Sequence, residues 1–116
     1  MRIEELDTPA LLIDREILES NLQRMQDYAN RNHVALRPHT KTHKMPAIAR
    51  RQMDLGACGI AVAKVGEAEV MAEQGLRDIL IANEIVGQRK LQRIAALRRA
   101  GCTVSFGVDA PCQVEE

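Results

Sequence analysis

Nine consecutive residues hold most of the chemistry in this chain. Leu36-Arg37-Pro38-His39-Thr40-Lys41-Thr42-His43-Lys44 brings together three permanent cations, two histidines and two hydroxyls. A lysine amine attacks a carbonyl to form a Schiff base only when neutral. Its pKa must therefore fall from the ordinary ~10.4. Nearby positive charge and desolvation both push it that way. Around Lys41 the charge comes from Arg37, His39, His43 and Lys44, and the burial from the apolar residues just before them. The competing reading is a solvated basic loop ahead of a helix, holding an anion or nothing. On composition alone that outcome is the more frequent one, because charged loops usually stay in water. His39 and His43 are four apart, the spacing of a zinc-ligand pair on a helix. Pro38, however, holds its neighbourhood extended, and no third ligand has suitable spacing. No metal site is expected from them; hydrogen bonding beside Lys41 or capping contacts are. Thr42 is expected to cap the helix that begins near Lys44.

The elements that must position this stretch alternate between two periodicities. Ala10-Leu11-Leu12-Ile13 is a short extended run, and Asp14 is an N-cap candidate with Glu16 in the first turn after it. Leu18, Leu22, Met25 and Ala29 then recur at helical spacing. His33 to Leu36 is expected to be a strand. It leads through the lysine loop into a helix with Pro46 in its first turn. Further strands are expected at Gly59–Ala63, Asp78–Ala82 and Thr103–Val108. Helices are expected at Gly66–Gln74 and Gly87–Ala100, with another beginning at Asp109 to Pro111. Gly56, Gly75 and Gly101 each stand where a helix ends. Strands that are apolar throughout predict a parallel sheet buried on both faces. Alternation of β and α predicts right-handed crossover units.

Two architectures satisfy this pattern: a small doubly wound sheet, or the first half, about four βα units, of a (β/α)8 barrel. A full barrel takes about 250 residues, so on the second reading the chain would be an incomplete portion. The helix start at Asp109, followed by so little chain, favours the second. In either case the functional groups gather at the carboxyl ends of the strands. Those ends carry the lysine loop, Lys64, Asn83 with Glu84, and Asp109. Asn83 and Glu84 are costly directly after a buried strand unless paired, with turn formation and capping as the structural alternative.

Composition excludes several classes of function. Lys+Arg and Asp+Glu balance at 16 each, which argues against nucleic-acid binding. One Tyr, one Phe and no Trp leave no platform for stacking bases. No apolar run approaches the roughly 20 residues of a membrane span, and the acidic start Met1-Arg2-Ile3-Glu4-Glu5 is unlike a signal peptide. Three unpatterned cysteines, Cys58, Cys102 and Cys112, suit a reduced, cytoplasmic protein. The glycine-rich nucleotide motifs, the GxSxG elbow and CxxC are all missing.

Four blocks, in order, resemble the start of the D-threonine aldolases. They are Asp7-Thr8-Pro9-Ala10, Arg37 to Lys44, Lys64-Val65-Gly66-Glu67-Ala68-Glu69 and Ala82-Asn83-Glu84-Ile85-Val86-Gly87. The wider group contains the D-serine dehydratases and the alanine-racemase-like, fold-type III pyridoxal-phosphate enzymes. The resemblance implies a barrel over 15–116 and an N-terminal extended segment, 1–14, whose strand joins a C-terminal β-domain. It implies pyridoxal 5'-phosphate held by Lys41 as a Schiff base, with Arg37, His39 and Asn83 as cofactor neighbours. A D-β-hydroxy amino acid would be cleaved to glycine and an aldehyde. The family's divalent metal implies ligands outside this chain, and a homodimer is the expected assembly. The alternatives are a D-serine dehydratase-like or 3-hydroxy-D-aspartate-acting enzyme of the same cofactor class, and a non-catalytic partial chain.

Overall fold

A computed structural model describes residues 2–115. The outer bounds of the two expected segments, Met1 and Glu116, lie outside the described residues. The elements are helix α1 (Arg15–Arg31), a 3-10 turn at Thr40–Thr42, α2 (Pro46–Asp54), β1 (Ile60–Val62), α3 (Val65–Glu73), β2 (Asp78–Glu84), α4 (Gln88–Arg99), β3 (Thr103–Gly107) and α5 (Pro111–Glu115), with a further 3-10 turn at Ile3–Glu5. The cap and stop signals act where the sequence places them. Asp14 Oδ1 accepts from the Ile17 amide at 3.0 Å, Pro46 occupies the first turn of α2, and Gly75 and Gly101 follow α3 and α4 with φ of 86°.

The sheet is parallel throughout and runs β1-β2-β3 in chain order. Ile60 lies opposite Ile79, and Ile79 opposite Val104. Ile60, Val62, Ile79, Ile81 and Val104 therefore share one face, and all of them are buried. They pack against Val65, Ala68 and Met71 of α3, Ile94 and Leu97 of α4, and Ala49 of α2. The crossover helices α3 and α4 touch each other, joined by Arg93 and Glu69 at 2.7 Å. Sequential strand order with neighbouring helices on one face is the winding of a barrel wall. A doubly wound sheet would reverse its order and send helices to both faces.

Two expectations change. Burial on both faces is not observed: on the face opposite the helices Ala61 is buried, Leu80 is half-buried and Ser105 is exposed. The helices described cover only one side, so apolarity along β2 is no guide to which face is packed. The strand expected at His33–Leu36 is also displaced. His33 turns with φ 56°, and the chain lies along β1 only from Leu36 to His39. There the Leu36 carbonyl accepts from the Cys58 amide at 2.9 Å and the Pro38 carbonyl from the Ala61 amide at 2.8 Å, with one isolated parallel bridge between His39 and Ala61. A strand is defined by its partner, and β1 is only three residues long. The expected run Ala10–Ile13 has no strand partner among the described residues, and Leu11 is 96% exposed.

Candidate active site

The segment 36–39 delivers Lys41 to the carboxyl end of β1. Thr40 anchors the delivery. It is 1% exposed, and its Oγ1 donates to the Ala61 carbonyl at 3.2 Å. His39 caps the 3-10 turn from the other side, its Nδ1 accepting from the Lys41 amide at 3.3 Å. Lys41 is thus the middle residue of the short turn, directly after an anchored one, with its side chain exposed. Among the described residues its ammonium has no carboxylate within ion-pair distance.

The rest of the turn is closed by local contacts. The Thr40 carbonyl accepts from the Lys44 amide at 2.7 Å, and Lys44 adopts φ 52°. His43 Nδ1 accepts from the Met45 amide at 3.0 Å, so the neutral ring carries its hydrogen on Nε2. Burial holds the His43 pKa below its ordinary value. Gln52 draws it weakly upward, yet His43 Nε2 and Gln52 Oε1 both remain buried without a contact of hydrogen-bond geometry. Thr42 does not cap α2, whose N-cap is Met45 with no side-chain bond. The histidines, not the threonine, do the capping here, because their Nδ1 atoms reach amides two residues on.

Asn83 and Glu84 are the last residues of β2 rather than the loop after it. Asn83 Nδ2 donates to the Ala63 carbonyl at 3.4 Å, and its Oδ1 accepts from the Glu84 amide at 3.0 Å. It therefore ties the carboxyl ends of β1 and β2 together. Glu67, near the start of α3, lies in this rim: its Oε2 accepts from the Ala63 amide at 2.7 Å, and its Oε1 is 3.7 Å from Lys44 Nζ. No capping box announces it, since the N-cap Lys64 makes no side-chain bond; along the chain it is only an acidic residue in the first turn of α3. A groove of 390 Å³ lies between Thr40, Lys44, Lys64 and Glu67. A second of 330 Å³ runs past Lys64, Asn83 and Lys90. Lys41 stands outside both linings. Among the described residues no cluster of three or more His, Cys, Asp or Glu side chains is placed to hold a metal, and no helix is long and apolar enough to cross a membrane.

Arg37 is not brought to this rim. Its guanidinium pairs with Asp78 at 2.8 Å and reaches the Ile60 and Asp78 carbonyls at 3.4 Å each. Those residues open β1 and β2, so Arg37 works at the amino ends of the strands. Gly59 leaves a slot for the guanidinium there, and Asp78 supplies the counter-charge.

A parallel, singly wound βα wall with a lysine turn at the carboxyl end of its first segment defines the class: the opening units of a lysine-bearing α/β barrel. The chain belongs to the alanine racemase N-terminal domain family, whose model matches residues 13–109. It is 48% identical over 107 residues to a D-threonine aldolase of Arthrobacter sp., covering 92% of this chain and 28% of that protein. It is 41% identical over 105 residues to a D-threo-3-hydroxyaspartate dehydratase of Delftia sp. (strain HT23), covering 90% and 27%. The crystal structure of D-threonine aldolase from Filomicrobium marinum superposes with a TM-score of 0.94 at 47% identity, over 97% of this chain and 30% of that one. The chain thus spans under a third of the length of the relatives it matches.

Proposed function

We propose that this chain is the lysine-bearing part of a pyridoxal-phosphate lyase that cleaves a D-β-hydroxy amino acid to glycine and an aldehyde. The observation that carries the reading is Lys41: an exposed primary amine, free of ion pairing among the described residues, at the carboxyl end of the segment that opens the sheet. The donor set fits an anionic aldehyde. Lys41 offers the nucleophile and Lys64 a second exposed cation, while the rim carboxylate Glu67 is already occupied by Lys44 and the Ala63 amide. The resemblance to the two aldolases supports the reaction type.

Lys41 and Asn83 would hold the cofactor, with His39 fixing the backbone at Lys41 and Asn83 holding the two strand ends together. When bound, pyridoxal phosphate supplies a carbonyl for the amine and a ring that draws electrons from the breaking bond. The side chains described here orient, and bear the amine; the divalent metal expected for the family would be bound by residues beyond this chain. The exposed segment Ala10–Ile13 is read as a strand that pairs within a further domain.

The test is trapping. The chain is mixed with pyridoxal phosphate, reduced with borohydride and mapped by peptide mass spectrometry. The pyridoxyl group is expected on Lys41 and lost in Lys41→Ala; label on another lysine, or none, refutes the assignment. Dehydration is the second reading, favoured by the Delftia relative. On the protein with its remaining domains, D-threonine yields glycine and acetaldehyde if the aldolase reading holds. Ammonia and a 2-oxo acid from a β-hydroxy-D-amino acid would decide for dehydration.

A further inference from the structure

We infer that Thr40 and Glu67 are positioning residues that clamp the Lys41 turn, at both its ends, onto the carboxyl end of β1. This rests on the reading of Lys41 as the cofactor lysine. At the near end Thr40 is almost wholly buried, at 1% exposure, and its hydroxyl donates to the Ala61 carbonyl, within β1. A buried hydroxyl is costly unless bonded, so the turn is held where that carbonyl is. Valine would fill the same space without donating.

At the far end the link runs through charge. Glu67 has a side chain only 11% exposed. One of its oxygens accepts from the Ala63 amide, just past β1, and the other faces Lys44 Nζ at 3.7 Å. Lys44 in turn closes the turn through its amide to the Thr40 carbonyl at 2.7 Å. It does so in a left-handed conformation, φ 52°, which a non-glycine residue keeps only when its surroundings hold it. Lys41 therefore lies between two contacts that end on consecutive parts of the same strand terminus. Neither residue needs to touch the cofactor to set where the Lys41 amine is presented.

The experiment compares trapping of pyridoxal phosphate at Lys41 with trapping at Lys90, on α4, by peptide mapping after borohydride reduction. Stability is followed in parallel by thermal melting. Thr40→Val and Glu67→Gln are each expected to lower the Lys41-to-Lys90 ratio by about fivefold, the equivalent of one hydrogen bond. Thr40→Ser is expected to bring the ratio back to within about twofold of the parent, since it keeps the donor. A purely structural role would lower melting and leave the ratio unmoved in the folded chain, and that result overturns the inference. Failure of Thr40→Ser to restore the ratio also overturns the hydroxyl's part. Glu67→Gln keeps the size and shape of the side chain and keeps the comparison decisive if Thr40→Val does not fold. A parent chain that labels Lys41 no better than Lys90 overturns the Lys41 reading itself. A selective parent matched by equally selective variants overturns the positioning alone.

Discussion

Gly59→Ala is the substitution whose cost can be worked most directly from the structure. A Cβ built at Gly59 lies 2.1 Å from Arg37 Nη1, 2.7 Å from Arg37 Cζ and 2.9 Å from the Asp78 carbonyl oxygen. The guanidinium can swing aside, but it then gives up its 2.8 Å pair with Asp78. Asp78 is 43% exposed at its side chain, so water screens the pair and its loss costs about 1 kcal/mol. The Asp78 carbonyl belongs to the β2 backbone and cannot swing. Relieving that contact shifts a strand, at about 1–3 kcal/mol as for other overpacked positions. The sum is about 2–4 kcal/mol, a large share of a small domain's ordinary stability. Urea denaturation followed by far-UV circular dichroism reads it. In an Arg37→Ala background the penalty should shrink by about 1 kcal/mol, because the pair is already gone. A Gly59→Ala chain within about 0.5 kcal/mol of its parent refutes the packing account. An equal penalty in both backgrounds refutes the role given to Arg37.

Two pH predictions follow from buried and paired groups. Burial holds the His43 pKa below its ordinary 6.5, so the unfolded chain binds the proton more readily. Its contribution to stability is complete above 6.5 and is lost as pH falls through the folded value. Proton NMR of the His43 ring should show a midpoint below 6.5, and a higher one would contradict the burial argument. For Glu69, the bond from Arg93 holds the pKa below its ordinary 4.5. The stabilisation is present above 4.5 and disappears as pH drops through the folded value, so Glu69→Gln should flatten the acid limb of a pH-stability curve; an unchanged limb would show the α3–α4 pair to be idle.

Much of this molecule was readable from local rules, for local reasons. The Asp14 cap, Pro46 in the first turn of α2 and the glycines after α3 and α4 depend on the conformational limits of single residues. The βα alternation follows from the period of the apolar residues, and the Lys41 turn from its place before a Pro-initiated helix. These set the βα class, while the resemblance of the Arg37 to Lys44 block singled out Lys41, on which the functional reading turns. Tertiary structure decided what depends on partners. The segment at 33–36 became a short alignment at 36–39, since only β1 could define it. Arg37 and His39, two residues apart, went to opposite ends of the strands because Gly59 and Asp78 waited at one end and the Lys41 amide at the other. Thr40 and Glu67 carry no chemistry along the chain that sets them apart from other hydroxyls and carboxylates. Their importance lies in burial and in contacts with residues 61 and 63, which no spacing along the chain expresses.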